Sequence, residues 1–403
     1  MTRSLFVCLM VIGCSGGEVV DGGTSGGASA GGNSAGGGSS AGGGVTAGGS
    51  TAGGSTAGGA SAGGGSAGGS AVAGVPYVYV GAGNTIYIYR LEPGDGGMTA
   101  RGQVPAGNGA SFLAVHPSKR WLYAVNENSS EVAAFAVDAG TGGLTFINRV
   151  SSFGAGPAHL SVHPAGRYLL VSNYGSGDIA TVPILANGGL SAAATSNPRP
   201  GANAHQIIAD ASGANVYVPC LGSNRVAQYD FDGGLTAKSP PSYSTAADAG
   251  PRHLDLHPNG RWAYLINEKD LTMSALDISA GRLTHKQTLR TVPGGFNSGS
   301  TAEVFVHPAG HSVYGSNRGH DSIVHFSLDA NGLMTLVGHA PTGGNTPRSF
   351  GLSPDGRLLL VANQGSNSIV AMRVDPTNGA LTSLGPVATL PSGPAYVGVV
   401  ALP

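Results

Sequence analysis

Five side chains of this 403-residue sequence have the types and positions for acid–base chemistry on an anion: His205, Arg252, Glu268, Arg318 and Arg348. Two of them bracket one stretch, Gly250 to Glu268, which reads GPRHLDLHPNGRWAYLINE. An arginine presents a planar fork of donors that suits a carboxylate or phosphate and can stabilise a developing oxyanion. A glutamate or histidine accepts a proton near neutral pH when its surroundings tune it. Arg252 and Glu268 lie sixteen positions apart, so they can serve one site only if the chain folds back between them.

The stretch contains what such a fold-back needs. Two short β-prone runs flank a His-Pro-Asn-Gly turn, which reads as an antiparallel hairpin with its two open ends at one edge. The unit recurs. Its turn positions fall at His116, His163, Asp210, His257, His307 and Ser353, at intervals of 47, 47, 47, 50 and 46 residues. Each is followed by a second strand, such as WLYAVNE, YLLVSNY or LLLVANQ, and then by a third and a fourth. Four strands per repeat of this length is the signature of a β-propeller blade. Residues 75–104 supply three strands without a first, and the C-terminal GPAYVGVVALP supplies only a first. Paired, they complete a seventh blade and remove exposed sheet edges. The expected fold is therefore all-β, a seven-bladed propeller closed by its N- and C-terminal strands.

The repeat alignment defines two rings. The residue five before each turn position is Ser111, Ala158, His205, Arg252, Ala302 or Arg348, with Ala395 on the last strand. The residue ending each second strand is Glu127, Tyr174, Leu221, Glu268, Arg318 or Gln364, each but Leu221 following a recurrent asparagine such as Asn267. Antiparallel pairing puts both rings at one mouth of the central channel, where a few polar groups converge on a concave surface. The His-Pro histidines recur blade after blade and are expected to serve the turn. His159, Gln206, His253 and Glu303 lie one step on from the first ring, so strict alternation sends them to the opposite strand face, in a structural role. No His/Cys spacing suits zinc and no acidic loop suits calcium, so neither metal nor cofactor is expected.

With GAGPAHLSVHPAGRYLLVSNYGSG, YGSNRGHDSI and PRSFGLSPDGRLLLVANQ set beside the stretch above, residues 75–403 resemble the lactonase family of seven-bladed propellers. That family includes the propeller-type 6-phosphogluconolactonases and the fungal carboxymuconate lactonising enzymes. The resemblance implies a catalytic set of His205, Arg252 in GPRH, Glu268 in the NE motif and Arg318 in SNRGHDS. Arg348, Asn267, Gln364 and Tyr174 are expected to bind substrate. The implied reaction is hydrolysis of a sugar-derived or carboxylated lactone by water, with Glu268 or His205 as base, since no serine sits in a nucleophile-elbow motif. The sequence departs from the family pattern at Asn203-Ala204-His205-Gln206, where the first histidine of PHAHQ is missing. It departs again at Cys220-Leu221-Gly222 and at Lys269-Asp270. The competing reading is an exported propeller that binds without catalysis. A redox propeller is disfavoured by the lack of a CxxCH motif.

Composition bounds the rest. The net charge is −1, only 10% of residues are charged, and no basic stripe is present, so nucleic acid is not an expected partner. A small-molecule lactone and a monomeric state are expected. The start, MTRSLFVCLMVIGC, has an apolar run too short to span a bilayer, ending in Val11-Ile12-Gly13-Cys14. This resembles a bacterial lipobox and implies an exported lipoprotein cleaved before an acylated Cys14, membrane-bound only through that anchor. Residues 15–74 are almost wholly Gly, Ser, Ala and Thr. Such a stretch cannot bury enough apolar surface to offset its ordering entropy and reads as a disordered linker. Processing would leave Cys220 as the one unmodified cysteine, so no intramolecular disulfide is expected.

Overall fold

Seven antiparallel sheets follow one another around a ring in the computed structural model, which describes residues 74–92 and 94–403. Both the Cys14 lipobox and the segment 15–73 lie outside the described residues. Blade four shows the plan, with strands Pro251–Leu256, Trp262–Asn267, Thr272–Ser279 and Arg282–Arg290 running from channel to rim. Its second strand is buried along its whole length because a neighbouring blade covers each face. The outermost strand is buried only at Leu283 and is otherwise half-buried or exposed, as expected at the rim of a sheet. The ring closes as the sequence requires: Pro394–Leu402 pairs with Val75–Ala82, with Val78 opposite Val399, to give a mixed-origin blade.

One blade differs from the expectation of four strands. Blade two has Pro157–Val162, Tyr168–Asn173 and Ile179–Pro183, and no regular fourth strand. Residues 184–198 read ILANGGLSAAATSNP and offer small residues and turn formers in place of a β-prone run. Isolated bridges from Thr181 to Ser196 and from Ile184 to Leu190 cover that edge instead.

The His-Pro turns join the blades. His116, His163, His257 and His307 each bring Nε2 to a glycine carbonyl of the next hairpin turn: Gly166, Gly213, Gly310 and Gly356, at 2.8, 2.8, 2.9 and 3.1 Å. Each Nδ1 accepts a backbone N–H two residues on, from Ser118, Ala165, Asn259 or Ala309. A carbonyl only accepts and an amide only donates, so all four imidazoles must carry their proton on Nε2. The partner glycines have φ between 69° and 77°. A Cβ on Gly356 would lie 2.4 Å from the His307 ring, so both backbone conformation and space demand glycine there.

Candidate active site

The two rings meet at one end of the channel around a cavity of about 170 Å³. Its lining is Glu127, Ala158, Tyr174, His205, Arg252, Glu268, Arg318 and Arg348. The hairpin of blade four carries out the fold-back: Pro251 pairs with Asn267, and Arg252 Nε lies 2.9 Å from Glu268 Oε2. The other Glu268 oxygen, Oε1, lies 3.0 Å from Arg318 Nη2 of blade five. One carboxylate therefore holds two guanidiniums. Arg252 also donates from Nη1 to the Ala302 carbonyl at 2.5 Å, and Arg318 from Nη2 to that of Thr301 at 2.8 Å. Nevertheless Nε of both arginines is buried without a hydrogen bond; for Arg252 the close ion pair is too far off axis to make one. Burial, then the Arg318 charge, pushes Arg252 down from the usual guanidinium range, and Glu268 opposes this.

His205 enters from blade three, just before a short inner strand, Ile208–Ala209. Its backbone N–H donates to the Pro219 carbonyl at 2.9 Å, and Tyr174 stands edge-on to its ring with centroids 5.4 Å apart. Burial first, and then the Arg252 charge, pushes its imidazole well below the usual 6.5, so it is neutral at pH 7. Arg348 of blade six reaches toward Glu127 at 3.8 Å, and the two residues also line an adjoining recess of about 520 Å³. Gln364 belongs to that recess together with Ser111 and Asn128. Asn267 lines neither space: it is buried, and its Nδ2 donates to Thr272 Oγ1 at 2.9 Å and to Ser274 Oγ at 3.3 Å. The expectation that it binds substrate is not met by its placement.

A second layer lies under the first, and here the sequence expectation of an opposite-face position is corrected. The inner strands of blades two, four, five and six each carry a β-bulge at the ring position. In blade four Arg252 is the extra residue, so His253 pairs with Ile266, the partner that Arg252 would otherwise have taken. Strict alternation is broken and consecutive side chains both serve the channel. Phe112, His159, His253 and Tyr396 make a floor, with ring centroids of Phe112 at 4.1, 6.0 and 4.7 Å from the other three. His159 and Gln206 accept backbone N–H groups of Ile207 and Leu254, as structural residues would. His253 does something else: its Nδ1 lies 2.6 Å from Glu303 Oε1 and its Nε2 lies 3.1 Å from His205 Nδ1.

Neither serine nor cysteine lines the 170 Å³ cavity. Cys220 is buried elsewhere, with its thiol pushed up to about 12 by burial, so it offers no thiolate. No cluster of three or more His, Cys, Asp or Glu residues suited to a metal occurs among the described residues.

Residues 71–397 match the family model described as lactonase, seven-bladed β-propeller. A 6-phosphogluconolactonase of Formosa agariphila is 29% identical over 323 residues, which is 75% of this chain and 92% of that protein. A second, from Pectobacterium carotovorum, is 35% identical over 204 residues, spanning 49% of this chain and 61% of that protein. Among solved structures, the periplasmic gluconolactonase of Pseudomonas aeruginosa superposes with a TM-score of 0.75 at 28% identity. That superposition covers 82% of this chain and 100% of the other.

Proposed function

The chain belongs to the seven-bladed β-propeller lactonase family, and on that premise we propose that it hydrolyses a lactone by direct attack of water. The supporting observation is the convergence of His205, Arg252, Glu268 and Arg318 on one cavity. His205 is the base. Its Nδ1 is engaged from below, which leaves Nε2 to the cavity. Glu268 is the poorer choice because both its oxygens already pair with arginines. In the reaction, His205 Nε2 takes a proton from water as the water oxygen attacks the lactone carbonyl. Arg252 and Arg318 hydrogen-bond the oxyanion that forms. Collapse breaks the bond between acyl carbon and ring oxygen, and the proton returns from His205 to the departing alkoxide. The product is the open hydroxy acid.

Charge narrows the substrate. Three guanidiniums face two carboxylates around a neutral histidine, leaving one positive charge in excess. This suits a neutral or singly charged lactone better than a phosphate dianion. The cavity takes the reacting ring, and the recess with Arg348, Gln364, Asn128 and Ser111 takes its hydroxylated tail. Export through the lipobox, with Cys14 acylated, points the same way, because a phosphorylated sugar lactone is an intracellular metabolite; the Pseudomonas neighbour is itself named periplasmic. The test is hydrolysis by the purified protein of gluconolactone and of freshly made 6-phosphogluconolactone, corrected for spontaneous opening. Turnover of gluconolactone lost in His205→Asn supports the reading. No turnover of either lactone by folded protein would move it to a non-catalytic binding propeller.

A further inference from the structure

Beneath the mouth lies a chain of three buried side chains, Glu303, His253 and His205 (4, 2 and 6% exposed), of which the reaction as described uses only His205. They come from three successive blades and touch in sequence, Glu303 Oε1 to His253 Nδ1 at 2.6 Å and His253 Nε2 to His205 Nδ1 at 3.1 Å. We propose that Glu303 and His253 are positioning residues that set the tautomer of His205 and carry away the proton it abstracts. This rests on the lactone-hydrolysis reading and adds a proton path to it.

The bonding rules allow two arrangements when both imidazoles are neutral. If Glu303 is ionised it only accepts, so His253 carries its proton on Nδ1 and offers a bare Nε2. His205 must then donate from Nδ1, and its Nε2 is bare toward the cavity, as a base requires. If Glu303 is protonated, every bond reverses. Glu303 donates to His253 Nδ1, His253 donates from Nε2 to His205 Nδ1, and His205 presents an N–H to the cavity. During attack, the first arrangement becomes the second. The water proton goes to His205 Nε2, the His205 Nδ1 proton to His253 Nε2, and the His253 Nδ1 proton to Glu303. The reverse transfer delivers the proton to the ring oxygen as it leaves, so the relay is restored each turnover. No imidazolium need form among the arginines, where burial and their charges disfavour it.

Several charged and titratable groups face this chain. Arg252 and Arg348 act on all three members, and Arg318 and Glu268 act on His253 from the mouth. His159 adjoins both histidines, while Tyr396 and the half-buried Asp255 lie near Glu303. Burial pushes Glu303 up to about 8, with Arg252, the Val304 N–H and Arg348 opposing. The base-competent arrangement therefore fills as pH rises through that value, and kcat rises with it.

The experiment compares wild type with Glu303→Gln, His253→Phe and the double variant, in kinetics and in imidazole ¹⁵N spectra of histidine-labelled protein. The His205 signals are assigned by their loss in His205→Asn. Phe at 253 keeps a ring against Phe112 and His159 while breaking both links. Each single variant should lose roughly 30- to 100-fold in kcat with KM within threefold, just under the span of about 10²–10⁴-fold for the loss of a general acid or base itself. The double variant should be no worse than either single, because the residues act in series. Glu303→Gln should also lose the rise of kcat near pH 8. In the wild type, His205 should move from the Nε2–H to the Nδ1–H tautomer over that range, and in Glu303→Gln it should not. A His205 tautomer that ignores both pH and Glu303→Gln overturns the proposal, as do additive losses or kcat within threefold of wild type. The spectra need no substrate, so a failed lactone assay leaves the relay testable on its own.

Discussion

Histidines stand at both ends of the inner hairpins, and the two ends treat them in opposite ways. At the turn end His116, His163, His257 and His307 are four copies of one solution. Each accepts a local N–H on Nδ1, donates Nε2–H to the next blade, and so has its tautomer locked by backbone groups that cannot titrate. At the mouth end His205 is the one histidine of its ring, His253 shares its repeat position only with His159, and both His205 and His253 bond to side chains that can exchange protons. The same imidazole is a fixed strut in one place and a titrating group in the other. A role shared by the blades recurs, here in four of the seven, whereas a reaction needs its groups once, so departures from the repeat point to chemistry.

The sharpest way to break this comparison is to remove a histidine from each end. His205→Asn should lower kcat/KM by about 10²–10⁴-fold, the span of a lost general base, while the denaturation midpoint stays near wild type. His163→Ala should do the reverse. It strands the Gly213 carbonyl and the Ala165 N–H, which costs about 1–3 kcal/mol of stability in urea denaturation, with kcat unchanged. If His163→Ala abolished turnover in folded protein, the distinction between the two ends would collapse.

Next in size are the arginines. Arg318→Ala should cost about 10²–10³-fold in kcat, as for loss of one oxyanion donor. Glu268→Gln should cost a similar factor and also reduce stability, because Glu268 is the common partner of Arg252, whose side chain is only 3% exposed, and of Arg318. Paired kinetics and melting curves would check both. A Glu268→Gln protein as stable as wild type would mean that the two guanidiniums tolerate each other without the bridge.

These residues were legible in the sequence because antiparallel pairing forces the ends of a hairpin together whatever the side chains, so Arg252 and Glu268 could be placed by counting. Seven blades were legible for the same reason, through the spacing of the turns and the two incomplete ends. The second layer was not. A one-residue bulge at Arg252 leaves no mark in residue type, yet it turns His253 into the channel and so creates the link to Glu303. Asn267 misled in a different way: its sequence neighbour Glu268 lines the cavity, but strand alternation turns its own amide back to Thr272 and Ser274. The missing fourth strand of blade two shows that a repeat can lose an outer strand where only solvent lies beyond it.

The smallest expected effect tests how far the mouth extends as a functional surface. Arg348 stands between the cavity and the wider recess, and its partner Glu127 is 3.8 Å away, too far for a strong hydrogen bond. A long, half-buried pair of this kind contributes at most about 1 kcal/mol, so Arg348→Gln should leave stability nearly unchanged. If the recess holds the tail of the lactone, the variant should raise KM for gluconolactone by about three- to tenfold, which corresponds to the loss of one hydrogen bond of about 0.5–1.5 kcal/mol. It should leave kcat and the KM of a small unsubstituted lactone untouched, and steady-state kinetics on the two substrates measures both. Equal changes for the two would place Arg348 with Arg252 and Arg318 at the reacting carbonyl, and the chemical region would then reach across the mouth to blade six.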